Sequence, residues 1–348
     1  MSFNERLNLY LTILEMKNLY SFKSKFFSLI AMVLLVTNLA SAQQEAMYSQ
    51  YMFNTMAINP AYAGSRDVLS LTAVGRYQWI GVPGAPTTYS FTMDMPIKNE
   101  KMGIGLAAFS DGLGLAQNTG VSLAYSYKVR LGQKTTLSMG VSPSITNVTW
   151  NLSDVKNINE VDEIFSGQYD INRLFPNVGA GVFISNDRSY LGISVPQIIQ
   201  TNLNSFQNTD TDSRIKRHYY TMMGFVIGSG NVKIKPSMMV RYTQGAPMGI
   251  DGNMNIWFKD KVSFGISGRK SQAILSGVDF MDAAVGMIEL QLTPQLRFGY
   301  AYDVNLNRLN NPNRTGIANQ LTGTPTHEGL LRYEFGYEKN NIITPRYF

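Results

Sequence analysis

The residues able to do chemistry are few. The chain has two histidines, His218 and His327, and no cysteine, which excludes a disulfide, a thiolate metal site and a Cys nucleophile. Two distant histidines are thin material for a zinc centre. His218 follows Arg214, Lys216 and Arg217 at a loop–strand junction, where a solvated base is the simpler reading. His327-Glu328 lacks the second histidine of an H-E-x-x-H metalloprotease helix. Gly103-Ile104-Gly105 and Gly112-Leu113-Gly114 lack the third glycine and the strand–helix setting of a dinucleotide fingerprint. Neither a Walker loop nor a G-x-S-x-G nucleophile elbow occurs. No catalytic, cofactor-binding or metal-ligating residue is assigned, and the chain reads as a non-enzyme with no cofactor.

The elements that carry these residues are strands. Of 348 residues, 44% are hydrophobic, 11% aromatic and only 16% charged, against roughly 25% charged in an average soluble domain. Past residue 42 there is no run of about 20 apolar residues such as a membrane helix requires. Abundant aromatic and β-branched residues argue against disorder. The net charge of +6 comes from basic residues scattered singly, four of them in the first 25 positions, so no nucleic-acid surface is expected.

An export signal is written at the start. From Met16, Lys17, Lys23 and Lys25 give a positive segment, Phe26–Val36 is apolar, and Ala40-Ser41-Ala42 offers a small-x-small cleavage site. Every region of a secretory signal is present, so 1–42 is expected to be removed, Gln43 to begin the mature protein, and Met16 to be the true start. The apolar stretch is too short to span comfortably as an anchor.

Fourteen strands are expected, at about 68–78, 87–95, 101–110, 118–130, 134–149, 174–185, 189–195, 217–227, 232–243, 250–258, 262–267, 282–292, 295–304 and 327–338. Period-2 alternation is plain in three of them. Val121, Leu123, Tyr125, Tyr127 and Val129 alternate with Ser122, Ala124, Ser126, Lys128 and Arg130; Leu296, Phe298, Tyr300 and Tyr302 with Arg297, Gly299, Ala301 and Asp303; Leu331, Tyr333, Phe335 and Tyr337 with Arg332, Glu334, Gly336 and Glu338. Connections after even-numbered strands are tight (Pro96–Glu100, Leu131–Gln133, Asn186–Arg188, Gly228–Asn231, Lys259–Lys261, Thr293–Pro294), with turn-forming residues. Those after odd-numbered strands include the long polar loops Trp150–Arg173, Pro196–Lys216, Gly268–Met281 and Asn305–Thr326. A soluble sandwich gives no reason for strict long–short alternation. A closed outer-membrane barrel does, with short turns periplasmic and long loops extracellular.

The resulting expectation is an all-β transmembrane barrel over 68–338, a periplasmic tail at 339–348, and both barrel termini periplasmic. Tyr77, Trp79, Trp257 and Tyr337 would form interfacial girdles. Gly103, Gly105, Gly179, Gly181, Gly224 and Gly265 would leave room inside or bend the wall. Lys128, Arg130, Arg241, Arg297 and Glu334 would charge the lumen. Segment 43–67, rich in Met and aromatics, would pack into the lumen or against the periplasmic rim, or form a short helix at the barrel foot.

Several motifs resemble one family. Tyr51-Met52-Phe53-Asn54, followed by Asn59-Pro60-Ala61-Tyr62-Ala63-Gly64, is similar to the opening signature of the PorP/SprF outer-membrane proteins of the type IX secretion and gliding apparatus in Bacteroidota. Arg76-Tyr77-Gln78-Trp79, Tyr190–Gln197, Lys235-Pro236-Ser237, Gly299–Asp303 with Tyr302 and Asp303, Thr326-His327-Glu328 and the terminal Pro345–Phe348 continue it in order. The Pro196–Lys216 loop departs from the pattern and is a candidate for partner choice. The resemblance implies a 14-stranded barrel without chemistry that docks a secreted cargo, typically a large adhesin, through its C-terminal sorting domain. One core member of the family associates instead with periplasmic ring and motor components.

Two classes of function follow. A docking protein would use its Asn-, Asp-, Gln- and Thr-rich loops, with aromatic tips such as Phe165, Tyr169 and Phe206 as anchors. A diffusion pore would need an open lumen with a charged constriction, which an apolar plug from 43–67 would oppose. The partners expected are outer-membrane lipid, a secreted cargo protein and other type IX components.

Overall fold

The computed structural model describes residues 48–97, 100–151, 170–202, 214–244, 246–271, 281–306 and 324–335. The expected signal peptide, residues 43–47, the tail at 339–348, Phe165, Tyr169, Phe206 and Tyr337 lie outside the described residues.

Three short 3-10 turns, Tyr51–Phe53, Thr55–Ala57 and Pro60–Tyr62, precede the strands. The strands are β1 (Ser70–Tyr77), β2 (Thr87–Ile97), β3 (Met102–Leu113), β4 (Ala116–Arg130), β5 (Thr136–Trp150), β6 (Ile171–Ser185), β7 (Ser189–Val195), β8 (Thr201–Asn202) and β9 (Arg214–Ile215). They continue with β10 (His218–Phe225), β11 (Val232–Thr243), β12 (Gly249–Phe258), β13 (Val262–Lys270), β14 (Ala283–Gln291), β15 (Leu296–Asn305) and β16 (Thr326–Glu334). Fourteen of them close into one antiparallel barrel; β8 and β9 form a separate two-stranded ladder, so β7 pairs directly with β10. The seam joins β1 to β16, from Ser70↔Glu334 to Tyr77↔His327. Closure matters because in lipid every strand-edge N–H and C=O must find a partner, and a closed sheet leaves no edge.

The faces are inside out relative to a soluble protein. On β4, Leu123, Tyr125 and Tyr127 are exposed outward while Ala124 and Ser126 are buried inward. Outward residues on other strands include Phe91, Val182, Ile193, Phe264, Ile266 and Leu331, whereas Arg76, Thr88, Asp251, Asn255, Glu289, Glu328 and Arg332 are buried. An apolar exterior around a polar interior fits a hydrocarbon solvent outside and a hydrogen-bonded core within. No helix of the described residues is long and apolar enough to cross a membrane; the strands take that role.

One rim carries the connections 98–101, 131–135, 186–188, 226–231, 259–261 and 292–295. The other carries 78–86, 114–115, 151–170, 196–217, 244–248, 271–282 and 306–325. The expected alternation of long and short therefore holds on average and fails twice. Strands β3 and β4 stay paired out to Leu113↔Ala116 and close at Gly114, whose φ of 58° suits a tight hairpin. The connection 244–248 is likewise short.

Two side-chain expectations are corrected. Trp257 is no girdle residue: it shares the inward parity of Asp251, Asn253 and Asn255 and is 1% exposed, with Lys235 Nζ 4.5 Å and Arg297 Cζ 4.8 Å from its ring centroid. Phe258, next in sequence, takes the outward place. Arg130 is no lumen charge either. It stands at the turn rim with its side chain 80% exposed, 3.9 Å from Glu100, because β4 ends there.

Candidate functional site

The lumen is occupied by the chain's own residues 48–67. Tyr51, Met52, Phe53, Met56, Ala61, Tyr62 and Ala63 are buried, as are the polar Ser49, Gln50, Asn54, Thr55 and Asn59. This segment has no steady period because its neighbours lie on all sides, so neither helix nor strand spacing can satisfy it. Short 3-10 turns, which suit runs of a few residues, carry it instead. Pro60 begins the third turn, and Asn59 caps that turn by accepting a hydrogen bond from Ala61 N at 3.0 Å through Oδ1.

The wall is shaped around it. A side chain at Gly103 would meet the Ala63 carbonyl, at Gly105 the Met56 methyl, at Gly140 the Pro60–Ala61 backbone and at Gly181 the Asn59 amide. Gly103, Gly105 and Gly181 thus leave room inside, and the segment fills that room. Gly179, Gly224 and Gly265 instead accommodate Ser142 with Pro196, the Tyr190 ring, and Asn255.

Polar contacts fix the segment from top to bottom. Asn54 Nδ2 donates to Ser90 Oγ at 3.3 Å and its Oδ1 accepts from Thr92 at 2.9 Å. Asn59 Nδ2 donates to the Val182 carbonyl at 3.1 Å. Gly64 N–H donates to Asp94 at 2.8 Å, and the Gly64 carbonyl accepts from Lys128. Arg66 pairs with Glu334 at 2.7 Å. Tyr62 meets Phe183 edge-on at 5.3 Å, and Phe183 stacks on Tyr190 at 5.5 Å. Burial pushes the Tyr51 and Tyr62 phenols up, so both remain neutral inside the barrel.

A chain of buried ion pairs crosses the interior near the long-loop rim. Arg76 on β1 reaches Glu328 on β16 at 2.9 Å and Asp303 on β15 at 3.0 Å. Arg269 on β13 links Asp303, at 3.4 Å, to Asp251 on β12, at 2.6 Å, and Arg241 on β11 stands 3.6 Å from Asp251. Three carboxylates alternate with three guanidiniums. The backbone N–H groups of Ser49 and Gln50 both donate to Glu328, each at 2.8 Å. The segment is therefore anchored to the pair that joins the first and last strands.

The signature residues fall into three places. Tyr51, Phe53, Asn54, Asn59, Pro60, Ala61, Tyr62, Gly64, Arg76, Asp303 and Glu328 lie in the interior. Gln78 and Trp79 follow β1 at the long-loop rim, where Gln78 N–H donates to the Pro86 carbonyl at 2.9 Å and Trp79 adopts φ 46°. Tyr302 and His327 share the outer face, with rings 5.3 Å apart, and His327 Nδ1 lies 2.5 Å from the Tyr300 hydroxyl. Sequence reasoning missed Ser49, Asp94, Asp251 and Arg269. Arg269 falls within the expected connection Gly268–Met281, whereas the strand runs on to Lys270, because Ser263, Gly265, Ser267 and Arg269 share one parity that extends it. Among the described residues no cluster of three or more acidic or histidine side chains could hold a metal ion.

The strand pairing and the apolar exterior define the class: an outer-membrane β-barrel, here closed around an N-terminal segment. The family model described as type IX secretion system membrane protein PorP/SprF matches residues 40–323, and the chain belongs to that family. No curated protein sequence matches it. Among solved structures it is similar to the Acinetobacter baumannii outer membrane protein Omp33, at 11% identity and a TM-score of 0.39 over 77% of this chain and 98% of that one. A Pseudomonas aeruginosa FadL homologue matches at 11% and 0.44 over 85% and 96%, and the Ralstonia pickettii toluene transporter TbuX at 8% and 0.45 over 80% and 92%. These are likenesses of general barrel architecture.

Proposed function

We propose that this protein is a sealed docking barrel of the type IX secretion system, which receives a secreted cargo protein through the C-terminal sorting domain of that cargo and holds it at the cell surface. The observation that carries the reading is the filling of the lumen by residues 48–67, pinned at Glu328 and at Glu334. A solute pore needs a wet passage, and these contacts run through the space such a passage would occupy. What remains for function is the loop-bearing rim, whose connections 151–170, 196–217 and 306–325 offer polar chain to a folded partner. In this reading the long-loop rim is extracellular, the turn rim periplasmic, residues 1–42 are removed on export, and the barrel does no catalysis.

Mild-detergent purification of a tagged copy from native envelopes, with mass spectrometry of what accompanies it, tests the reading. Recovery of a large secreted protein with a C-terminal sorting domain is the expected result. Recovery of periplasmic ring and motor components without such cargo would mark it as a core part of the machine. A steady open channel in planar bilayers would count for a diffusion pore.

A further inference from the structure

Strand β6 is bonded unequally on its two sides. Toward β5 it is paired along its whole length, from Thr136↔Ser185 to Trp150↔Ile171. Toward β7 the ladder runs only from Ser185↔Tyr190 to Ala180↔Val195. The chain leaving β7 adds three more bonds. Ile198 N–H donates to the Val178 carbonyl at 3.0 Å, and the Asn177 side chain donates to the Ile199 carbonyl and accepts from its N–H, each at 2.9 Å. Beyond Asn177, among the described residues, no strand pairs with this edge. The Val178 carbonyl faces the β7 side, and alternate residues of a strand direct both backbone groups to the same side. Asn172 and Leu174 therefore present N–H and C=O to the open edge, and Pro176 a carbonyl alone.

The outward residues tell where this edge stands. Followed across the ladders, the row that ends at Pro176 is Ala108, Val121, Ile145 and Pro176. The next is Ser110, Thr119, Asn147 and Leu174, and the one beyond it Gly112, Gln117, Thr149 and Asn172. Apolar gives way to polar after the first row, as at the limit of a hydrocarbon band. The lengths agree. The 15 residues of β6, at about 3.3 Å each and tilted roughly 40°, rise about 38 Å, against an apolar band of about 25 Å. Pairing thus continues for as long as lipid demands it and lapses where water can solvate a free edge.

We infer that the free edge of β6 is where an extended segment of the docked protein adds as a strand. The inference rests on the docking role proposed above and names the contact that serves it. The donors and acceptors of a strand edge recur at ladder spacing, and another extended backbone repeats that spacing. Exposed edges are ordinarily blunted by lysine, proline or a bulge. Pro176 blunts the lower end of this one, while Asn172 and Leu174 leave the rest open. Strands β3 to β6 are paired into one sheet out to Leu113↔Ala116, Ala116↔Trp150 and Trp150↔Ile171, so the edge is held in place before a partner arrives. Leu174 is 63% exposed on the outward face and favours an apolar side chain opposite it. The incoming segment is about five residues long, matching the stretch from Asn172 to Pro176.

Changes at one position test it. Leu174→Pro removes the edge N–H and spares the bonds to β5, which use the residues on either side; proline is tolerated at such edge positions. Leu174→Val keeps the N–H. Tagged parent and variants are purified from native envelopes, their folding is checked by the heat-modifiable gel shift, and the protein carrying a sorting domain is quantified in each. Parent and Leu174→Val are expected to recover it alike, and Leu174→Pro to recover about tenfold less. In parallel, photoreactive benzoylphenylalanine in place of Leu174 is expected to cross-link, in living cells, to one short segment of that same protein. Parent-like recovery by Leu174→Pro overturns the inference and leaves the docking role standing. So does a cross-link to the chain's own residues, to a second copy, or to nothing. Should Leu174→Pro not fold, the cross-link decides alone. Failure of the parent to recover any such protein overturns the docking role and the inference with it.

Discussion

Arg76 Nη1 lies 2.9 Å from Glu328 Oε2, joining the first barrel strand to the last across the closing seam. The pair is nearly inaccessible, with side chains 2% and 1% exposed. It is more than a clasp, because the other Glu328 oxygen and the same Oε2 accept the Gln50 and Ser49 amides. Closure of the wall and retention of the plug share one carboxylate.

Removing that carboxylate should loosen both. Breaking one partner of a buried pair leaves an uncompensated charge, at a cost of about 3–5 kcal/mol. Glu328→Ala is expected to lower the unfolding free energy by that amount and to release the segment above Asn54. The heat-modifiable gel shift of the folded barrel measures the first. Protease cleavage near Tyr51, absent in the parent protein, measures the second. Arg76→Ala should behave alike, and parent-like stability in both variants would refute the shared role.

Displacing the plug without touching the seam is a separate test. Gly140 faces the backbone of Pro60 and Ala61 so closely that a Cβ there has no place. Gly140→Val should therefore expel the third 3-10 turn while leaving the barrel folded, since valine is a good strand residue. Planar-bilayer recordings are expected to be silent for the parent protein and to show stepwise openings for Gly140→Val and for a chain lacking 48–62. Silence in both variants would mean that something other than this segment closes the lumen.

The aromatic ladder should carry measurable packing energy. Phe183 lies between the Tyr62 edge and the Tyr190 face, and Phe→Ala at a buried site costs about 3–5 kcal/mol. Phe183→Ala should lower the denaturation midpoint, with Phe183→Leu in between. A loss below about 1 kcal/mol would show that the wall collapses into the vacated volume.

Much of this architecture is legible in residue types. The alternation Leu331, Arg332, Tyr333, Glu334 tells which face is which, because a strand gives each side chain only two directions. The same rule read from Asn253 and Asn255 turns Trp257 inward, because parity and not the position at a strand end sets a side chain's direction. The plug is less legible. Glu328 and Ser49 are 279 positions apart, and nothing local to either announces the other. A segment enclosed on all sides has no single buried face, and periodicity detects only single faces. The two-residue ladder of β8 and β9 is too short to leave any pattern.

The exterior makes the last and simplest demand. Ile266 sits at the middle of β13, outward and 63% exposed, while Ser267 beside it has the opposite parity. If the outward face meets hydrocarbon, an arginine at the midplane costs about 2–4 kcal/mol. Ile266→Arg should lose that much in a refolding titration into lipid vesicles and accumulate unfolded in cells. Ile266→Leu should be neutral, because the side chain meets acyl chains rather than a shaped protein neighbour. Were the barrel's exterior wet, the ranking would invert: the arginine would be harmless, and a band of apolar residues around the wall would make the parent protein aggregate. Comparing the two substitutions in vesicles therefore reads the solvent of that face directly.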